Sequence, residues 1–131
     1  MAQIGTKGAE LDLLIRQGAT FGPNSSRILN PNGTPVDLTG ATIRAQIRKT
    51  PNSTLSPGAT AVFTITNATN GQFNWEFSAS DTTLLTADAS GETAAGSQYV
   101  WDMELQDSTG RVLPLLYGKV SVYREVTKVD P

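Results

Sequence analysis

The sequence predicts an all-β fold: an immunoglobulin-like sandwich of two sheets, with about seven antiparallel strands and one short helix. The first observation is composition, because 17 of the 131 residues are Thr, which suits pleated strands. Another 12 are Gly, 7 are Pro, 7 are Asn and 10 are Ser, and these residues suit turns. The second observation is that apolar and polar residues alternate in several segments, as in strands with one buried face. The length is that of one domain.

The chain begins with a segment that has little to bury. Residues 1–9 are small and polar, and we expect a flexible arm that precedes a single sandwich domain over 10–131. The first strand is predicted over 10–17 and ends at Gly18. One face of this strand is formed by Leu11, Leu13 and Ile15.

The clearest strand pattern covers residues 41–48. The segment before it, 22–36, is rich in Gly, Pro and Asn, so it is predicted to form turns with only a short strand at 27–29. The strict alternation over 41–48 indicates one buried and one wet side. The buried side is formed by Ala41, Ile43, Ala45 and Ile47.

A hairpin is predicted in the middle of the chain. A strand over 61–66 points Phe63 and Ile65 inward. Residues 67–71 form the turn, because their Asn-Gly pair suits the positive φ angles of a hairpin. The returning strand places three aromatic side chains on one face, and these are Phe73, Trp75 and Phe77.

One or two helical turns are predicted after this hairpin. Ser80 can cap the N-terminus and Asp81 lies where the helix dipole favours an anion. Surface loops are predicted over 50–59 and 86–96, which are rich in small and polar residues. The helix contributes an apolar contact through Leu84 and Leu85.

The C-terminal part contains the last strands. Residues 99–106 alternate, a turn follows at 107–110, and 111–126 contains two successive alternations interrupted by Pro114, which indicates an edge position or a bulge. Tyr99 is either the tyrosine corner of an immunoglobulin-like strand or one more half-buried aromatic residue. The predicted core consists of Ile43, Ile47, Phe63, Ile65, Phe73, Trp75, Phe77, Trp101, Met103, Val120 and Val122.

Composition argues against an enzyme. The chain has no Cys and no His, so thiolate nucleophiles, disulfides, Cys-ligated metals and the usual proton-transfer side chain are all lacking. It also contains neither a phosphate-binding loop nor a Ser-x-x-Lys pattern. We therefore predict no catalytic, cofactor-binding or metal-binding residues. The net charge of −2 does not favour nucleic-acid binding, and no apolar run is long enough for a membrane helix or a signal peptide.

Two charged clusters have competing interpretations. Asp102 and Glu104 point to the same face of one strand, and with Asp107 nearby they could bind calcium or resemble a glycosidase pair. They could also belong to a solvated strand face opposite Arg44 or Arg48. We favour the solvated face. The basic cluster could dock on an acidic partner or nucleic acid, but a solvated face is again favoured, and its members are Arg44, Arg48 and Lys49.

Four Asn-x-Ser/Thr sequons occur in the chain. Without a signal peptide we expect them to arise from the Thr-rich composition and not from glycosylation. Their asparagines are Asn24, Asn32, Asn52 and Asn67.

Three segments together resemble a known family. The first is a DLTG turn that runs into a strand ending in Arg-Lys, over 37–49. The second is an Asn-Gly turn over 68–73 followed by Ser-Asp-Thr at 80–82. The third is the strand 99–107 with the later Gly-Lys-Val at 118–120. They resemble the β-sandwich domains of tailed-phage tail and baseplate proteins, especially the N-terminal domain of the siphophage baseplate upper protein.

This resemblance implies a non-enzymatic structural subunit of a phage virion. Such a subunit is made in the host cytoplasm and lies in the tail or baseplate, where it contacts other virion proteins in multiple copies of a symmetric assembly. Edge strands and the N-terminal arm would make the contacts. The alternative function is a receptor- or carbohydrate-binding module, that is a tail adhesin, or a capsid decoration protein. Sugar-binding modules usually display aromatic residues, whereas Trp75 and Trp101 are predicted to face inward, with Tyr117 and Tyr123 near the surface.

Overall fold

The computed structural model describes residues 8–49, 58–85 and 97–123. In these residues two β-sheets pack together with one short helix, which confirms the predicted all-β sandwich. The strands are β1 (Ala9–Glu10), β2 (Leu13–Arg16), β3 (Phe21–Arg27), β4 (Thr42–Arg48), β5 (Ala59–Thr60), β6 (Val62–Asn67), β7 (Gln72–Phe77), β8 (Ser97–Gln106) and β9 (Val112–Tyr123). The helix α1 covers Ala79–Thr83, and a 3₁₀ turn covers Ala68–Asn70.

The strand order is that of an immunoglobulin-like fold. The six-stranded sheet has the order β1-β9-β8-β4-β5, and β2 also pairs with β9. The three-stranded sheet has the order β3-β7-β6. If β3 is taken as strand B, the second sheet has the order B-E-D and the centre of the first has the order G-F-C.

The first two strands run parallel to their neighbour and not antiparallel as predicted. Both β1 and β2 pair in parallel with β9, with Ala9 opposite Leu116 and Leu13 opposite Val120. After β2 the chain turns at Gly18 and continues as β3 in the other sheet. No hairpin therefore connects β2 to β9, and a hairpin is what would make two paired strands antiparallel. Residues 1–7 of the predicted arm lie outside the described residues, and Ala9 belongs to a strand.

The turn predicted over 30–33 is confirmed, since the Gly33 N–H donates to the Asn30 carbonyl oxygen at 2.9 Å. The prediction of a strand only at 27–29 is wrong, because β3 begins at Phe21. Its pairing with β7 shifts register between Phe21 and Asn24, and this bulge accommodates the intervening Gly22 and Pro23. Gly22 has a φ of 118°, and a Cβ atom there would lie 2.8 Å from the Trp75 carbonyl oxygen. Gly22 and Pro23, which indicated a turn, therefore form a bulge on an edge strand.

Two local details differ from the sequence prediction. The turn between β6 and β7 is a 3₁₀ turn that Asn67 caps, and only Gly71 has a positive φ, of 69°. The cap of α1 is Ser78 and not Ser80, because the Ser78 hydroxyl accepts the Asp81 backbone N–H at 3.2 Å.

Pro114 lies at a bulge as predicted: Met103 pairs with Leu116 and Glu104 pairs with Pro114, so one β9 residue has no opposite partner.

The core is centred on two stacked tryptophans. Trp75 of one sheet and Trp101 of the other have ring centroids 5.5 Å apart and an interplanar angle of 15°. Nine of the eleven predicted core residues are buried. Phe63 is only partly buried and Ile65 is 38% exposed, because β6 is at the edge of its sheet. The core also contains residues absent from the predicted list: Leu13, Ile15, Leu38, Ala45, Ala59, Leu85, Tyr99 and Leu105.

The inward face predicted for the first strand is confirmed at Leu13 and Ile15 but is wrong at Leu11. Leu11 is 42% exposed because it lies in the two-residue interval between β1 and β2. In the described parts of the chain, no helix has the length and apolar character needed to cross a membrane.

Candidate interaction surface

The free side of β6, residues Val62–Asn67, is the candidate site, and we call it the β6 edge. β6 pairs with β7 on one side, and no described strand lies on the other. Its sequence, Val-Phe-Thr-Ile-Thr-Asn, contains no charged residue, no Pro and no Gly. A strand of this kind presents unpaired backbone groups that can bind another strand.

The side chains of the β6 edge divide between two faces. Phe63 and Ile65 lie opposite Trp75 and Phe73 of β7, so they face the core side of the sheet. The Phe63 and Phe73 rings pack with centroids 6.0 Å apart. On the outer face, Val62 is 57% exposed. Both faces of the edge therefore expose apolar surface.

The chain on either side of β6 fixes the position of the edge. Just before the strand, the Ala61 N–H donates to the Ala45 carbonyl oxygen at 2.9 Å, so the chain crosses there from one sheet to the other. After the strand, the Asn67 side-chain oxygen accepts the Asn70 N–H at 3.3 Å. The Leu38 N–H donates to the Ala68 carbonyl oxygen at 2.9 Å. Hydrogen bonds at both ends thus hold the edge in place.

The other sheet edges have features that oppose strand addition. β3 contains a Pro and a bulge and ends at Arg27. β5 has two residues. β1 and β2 are also short and include Glu10 and Arg16. Short length, Pro, bulges and charge are the usual protection of an edge. Among the described strands, β6 lacks charge and Pro while having six residues.

The acidic residues 102, 104 and 107 do not form one site. Glu104 pairs with Arg44 across the strands, through the guanidinium Nε and a carboxylate oxygen. Asp107 instead accepts the backbone N–H of Thr109 at 2.9 Å within its own turn. In the part of the chain that the structure describes, no three acidic, His or Cys side chains are grouped to hold a metal. The ion pair supports the solvated-face interpretation.

The basic cluster is also divided among separate contacts. Arg44 bonds to Glu104, and Arg48 donates to Gln46 Oε1 at 3.0 Å. The Lys49 ammonium lies 5.3 Å from the centroid of the Tyr99 ring, at cation–π distance. Each of the three cations therefore has a contact within the domain, and that of Arg44 is an ion pair.

Two opposite pKa shifts occur among the carboxyl groups. Desolvation and the nearby Glu104 charge raise the pKa of Asp102 above its ordinary 3.8, although Arg44 and Arg48 oppose the change. Hydrogen bonds from Thr39 lower the pKa of Asp37 below its ordinary 3.8. A hydrogen bond from the Thr109 side chain likewise lowers the pKa of Asp107. Both lowered pKa values belong to carboxylates that accept backbone N–H groups two residues later in the chain.

Of the four sequon asparagines, Asn52 lies outside the described residues and the others take part in local structure. Asn24 is half-buried in β3, and its side-chain nitrogen is buried without a hydrogen-bond partner. The Asn32 oxygen accepts the Thr34 N–H at 3.1 Å in a turn, and Asn67 caps the 3₁₀ turn. No feature of these positions indicates a common function.

Two concavities lie elsewhere on the domain, and neither is lined by a residue of β6. A groove of about 490 Å³ opens where β1 begins, and it is lined mainly by apolar residues, including Ile28, Leu29, Phe73 and Leu115. A shallow depression of about 290 Å³ lies on the outer face of the six-stranded sheet, beside Tyr117, Asp102, Gln46 and Arg48.

The fold and the edge define an immunoglobulin-like sandwich in which, among the described residues, one edge strand of six residues, β6, carries no charge. No protein-family model matches the chain, and no curated protein matches it.

Proposed function

We propose that this protein is a non-enzymatic structural subunit of a phage virion, which assembles into the tail or baseplate through edge strands and an N-terminal arm. The observation that carries the proposal is the β6 edge, which has six uncharged residues and exposes Val62 and Ile65 by 57% and 38%. Edges that are not used for binding normally carry protection against strand addition. The other described edges of this domain carry that protection, so the β6 edge is the part suited to binding.

The chemistry of the remaining surface supports a structural role over a catalytic one. Both arginines on the outer face of β4 bond to neighbouring side chains, Arg44 to Glu104 and Arg48 to Gln46. The stacked tryptophans occupy the centre of the space between the two sheets. Binding to other virion proteins requires neither a cofactor nor a metal.

The proposed partners are other tail or baseplate proteins and further copies of this chain in a symmetric assembly. Each copy then needs only a modest contact, because several contacts act together. The N-terminal arm is the second proposed contact. Its base is fixed next to β1, where a Cβ atom on Gly8 would lie 2.7 Å from the backbone of Leu115, and the apolar groove opens beside it.

The alternative is a receptor- or carbohydrate-binding module, and the depression beside Tyr117 is the observation that favours it. An aromatic ring with amide, carboxylate and guanidinium groups nearby is a combination that can bind sugars. Trp75 and Trp101, however, are 4% and 3% exposed and cannot offer their faces to a glycan. We therefore propose assembly as the function and regard glycan binding as the competing outcome.

The test is sedimentation of the protein with phage particles. Particles from cells that express the wild-type chain or the double variant Val62→Lys/Thr64→Lys are separated on a density gradient, and the chain is quantified in the particle fraction. Position 62 lies opposite Glu76 of β7, so the lysine introduced there can form an ion pair with this carboxylate. We therefore expect the double variant to fold. Leu84→Lys is the matched control, because Leu84 is 66% exposed at the end of α1 and is not part of β6.

We expect the wild-type chain and Leu84→Lys to sediment with the particles and the double variant to be lost at least tenfold. A deletion of residues 2–7 tests the arm in the same way. Absence of the wild-type chain from the particles, together with glycan binding that Tyr117→Ala abolishes, would overturn the proposal in favour of the alternative.

A further inference from the structure

We infer that the β6 edge pairs with the β6 edge of a second copy, antiparallel about a two-fold axis at Thr64, so that two three-stranded sheets form one six-stranded sheet. This inference rests on the proposed use of the β6 edge for assembly and specifies its partner. It concerns Val62 to Thr66 and ends where the pairing of β6 with β7 shifts register, between Ile65 and Asn67.

The register at Thr64 is self-complementary. An axis at this residue places Thr64 opposite itself, Phe63 opposite Ile65, and Val62 opposite Thr66. The first of these pairs can form a Thr–Thr contact and the second is an aromatic with a β-branched side chain, and both kinds stabilise antiparallel strands. Thr64 on the axis, and Phe63 and Ile65 beside it, therefore each meet a favourable partner on their own face of the sheet.

The second copy would also cover apolar surface that the single domain leaves exposed. Ile65 lies on the core-facing side, opposite the buried Phe73, yet it is 38% exposed. Phe63 on the same side is only partly buried. In the proposed pairing Phe63 of each copy covers Ile65 of the other, so the two cores become continuous across the axis.

The lack of charge favours self-pairing in particular. An edge whose charges all have the same sign repels its own copy, because antiparallel pairing about a two-fold axis brings two strands of like charge together. β2 ends in Arg16 and β3 ends in Arg27. β6 has no charge between Val62 and Asn67. A contact of five residues is small, so we expect a weak dimer in dilute solution that is strengthened when many copies assemble.

Cysteine cross-linking of the full chain tests the register. The chain has no Cys, so a single introduced thiol can only form a disulfide between copies. Residues directly opposite in an antiparallel pair have Cα atoms about 4.5–5.5 Å apart, which suits a disulfide. The Thr64→Cys thiols would face each other across the axis. Val62→Cys is the matched control, because the two copies of residue 62 would be about 13 Å apart along the strands.

After mild oxidation we expect Thr64→Cys to form covalent dimers at least tenfold faster than Val62→Cys. Sedimentation velocity of the wild-type chain should show a dimer that increases with concentration, and Thr64→Lys should abolish it while Leu84→Lys does not. Equal cross-linking at the two positions would overturn the register. A wild-type chain that stays monomeric at every concentration would overturn self-pairing. If Val62→Lys/Thr64→Lys were still lost from particles in that case, the proposed function would stand with a different partner strand.

Discussion

The indole nitrogen of Trp101 donates a hydrogen bond of 2.7 Å to the carbonyl oxygen of Leu11, a residue 90 positions earlier in the chain. The bond reaches from the core to the interval between β1 and β2, where the N-terminal segment passes over β9. Two further contacts hold the segment there. The Leu11 N–H donates to the Tyr117 carbonyl oxygen at 2.8 Å, and the Lys119 N–H donates to an Asp12 carboxylate oxygen at 2.9 Å.

Substitutions of Trp101 separate its packing from its hydrogen bond. Trp101→Ala should lower the free energy of unfolding by about 3–5 kcal/mol, because it removes the ring that stacks on Trp75. Trp101→Phe keeps an aromatic ring but leaves the Leu11 carbonyl without its donor, so the loss should be about 1–3 kcal/mol. Urea unfolding measures both values. A loss below about 1 kcal/mol for the alanine variant would contradict the packing described above.

Gly118 should not tolerate a side chain. A Cβ atom there would lie 2.1 Å from the Leu11 carbonyl oxygen, so the N-terminal segment would have to move away. Gly118→Ala should lower the free energy of unfolding by about 1–3 kcal/mol. The control is Lys119→Ala, which keeps the backbone bond to Asp12 and changes only an exposed side chain. Equal urea midpoints for the two variants would show that the segment does not cross at Gly118.

The raised pKa of Asp102 predicts a pH-dependent effect of its removal. A group with a raised pKa in the folded state destabilises the fold once pH exceeds that pKa, because the charged form is then the disfavoured one. Asp102→Asn should therefore raise the urea midpoint at pH 7, and the gain should shrink as pH falls through the raised pKa, which is above 3.8.

Asp37→Asn gives the opposite sign in the same series. The pKa of Asp37 is lowered, so its charged form stabilises the fold above the unfolded-state value, and this contribution disappears as pH falls through the lowered pKa. The Asp37→Asn variant should thus have a lower midpoint at pH 7 and differ little from the wild-type chain in strong acid. Effects of the same sign for both variants at pH 7 would be inconsistent with these assignments.

Calcium should not stabilise the protein. Glu104 is bonded to Arg44 and Asp107 is bonded within its turn, so the three carboxylates cannot bind one ion together without breaking these contacts. The melting temperature should be the same with calcium and with EDTA, since a bound ion would raise it by mass action. A rise of several degrees with calcium that Glu104→Gln removes would restore the metal-site interpretation.

The strands with strict alternation could be predicted from the sequence, whereas the features that depend on sheet position could not. β4 and β8 alternate because one face of each is buried, and the pairing of Arg44 with Glu104 follows from their register. The exposure of Ile65 could not be predicted in this way. Its alternation is correct, but alternation does not show whether a strand lies at the edge of its sheet.

Features that arise from contacts between residues distant in sequence also could not be predicted from the sequence. The parallel pairing of β2 with β9 has no local signal, because both directions leave the same apolar pattern. Gly22 and Pro23 indicate a turn locally, and only the pairing with β7 makes them a bulge. Leu38 is buried from a non-strand segment, where no periodicity marks it as core. The apolar contact predicted for Leu84 and Leu85 is confirmed for Leu85, which is buried, and is wrong for Leu84, which is 66% exposed. The β6 edge was part of a predicted strand, but its free side depended on the sheet order.

Amide hydrogen exchange tests most directly whether the β6 edge is the surface that becomes buried on assembly. Exchange is followed by mass spectrometry for the isolated chain in dilute solution and for the same chain in the assembled particle. Peptides covering Val62–Asn67 should exchange quickly in the isolated chain and at least tenfold more slowly in the particle, while peptides from the central strand β8 should be slow in both. Unchanged exchange over Val62–Asn67, with new protection confined to other segments, would contradict the account.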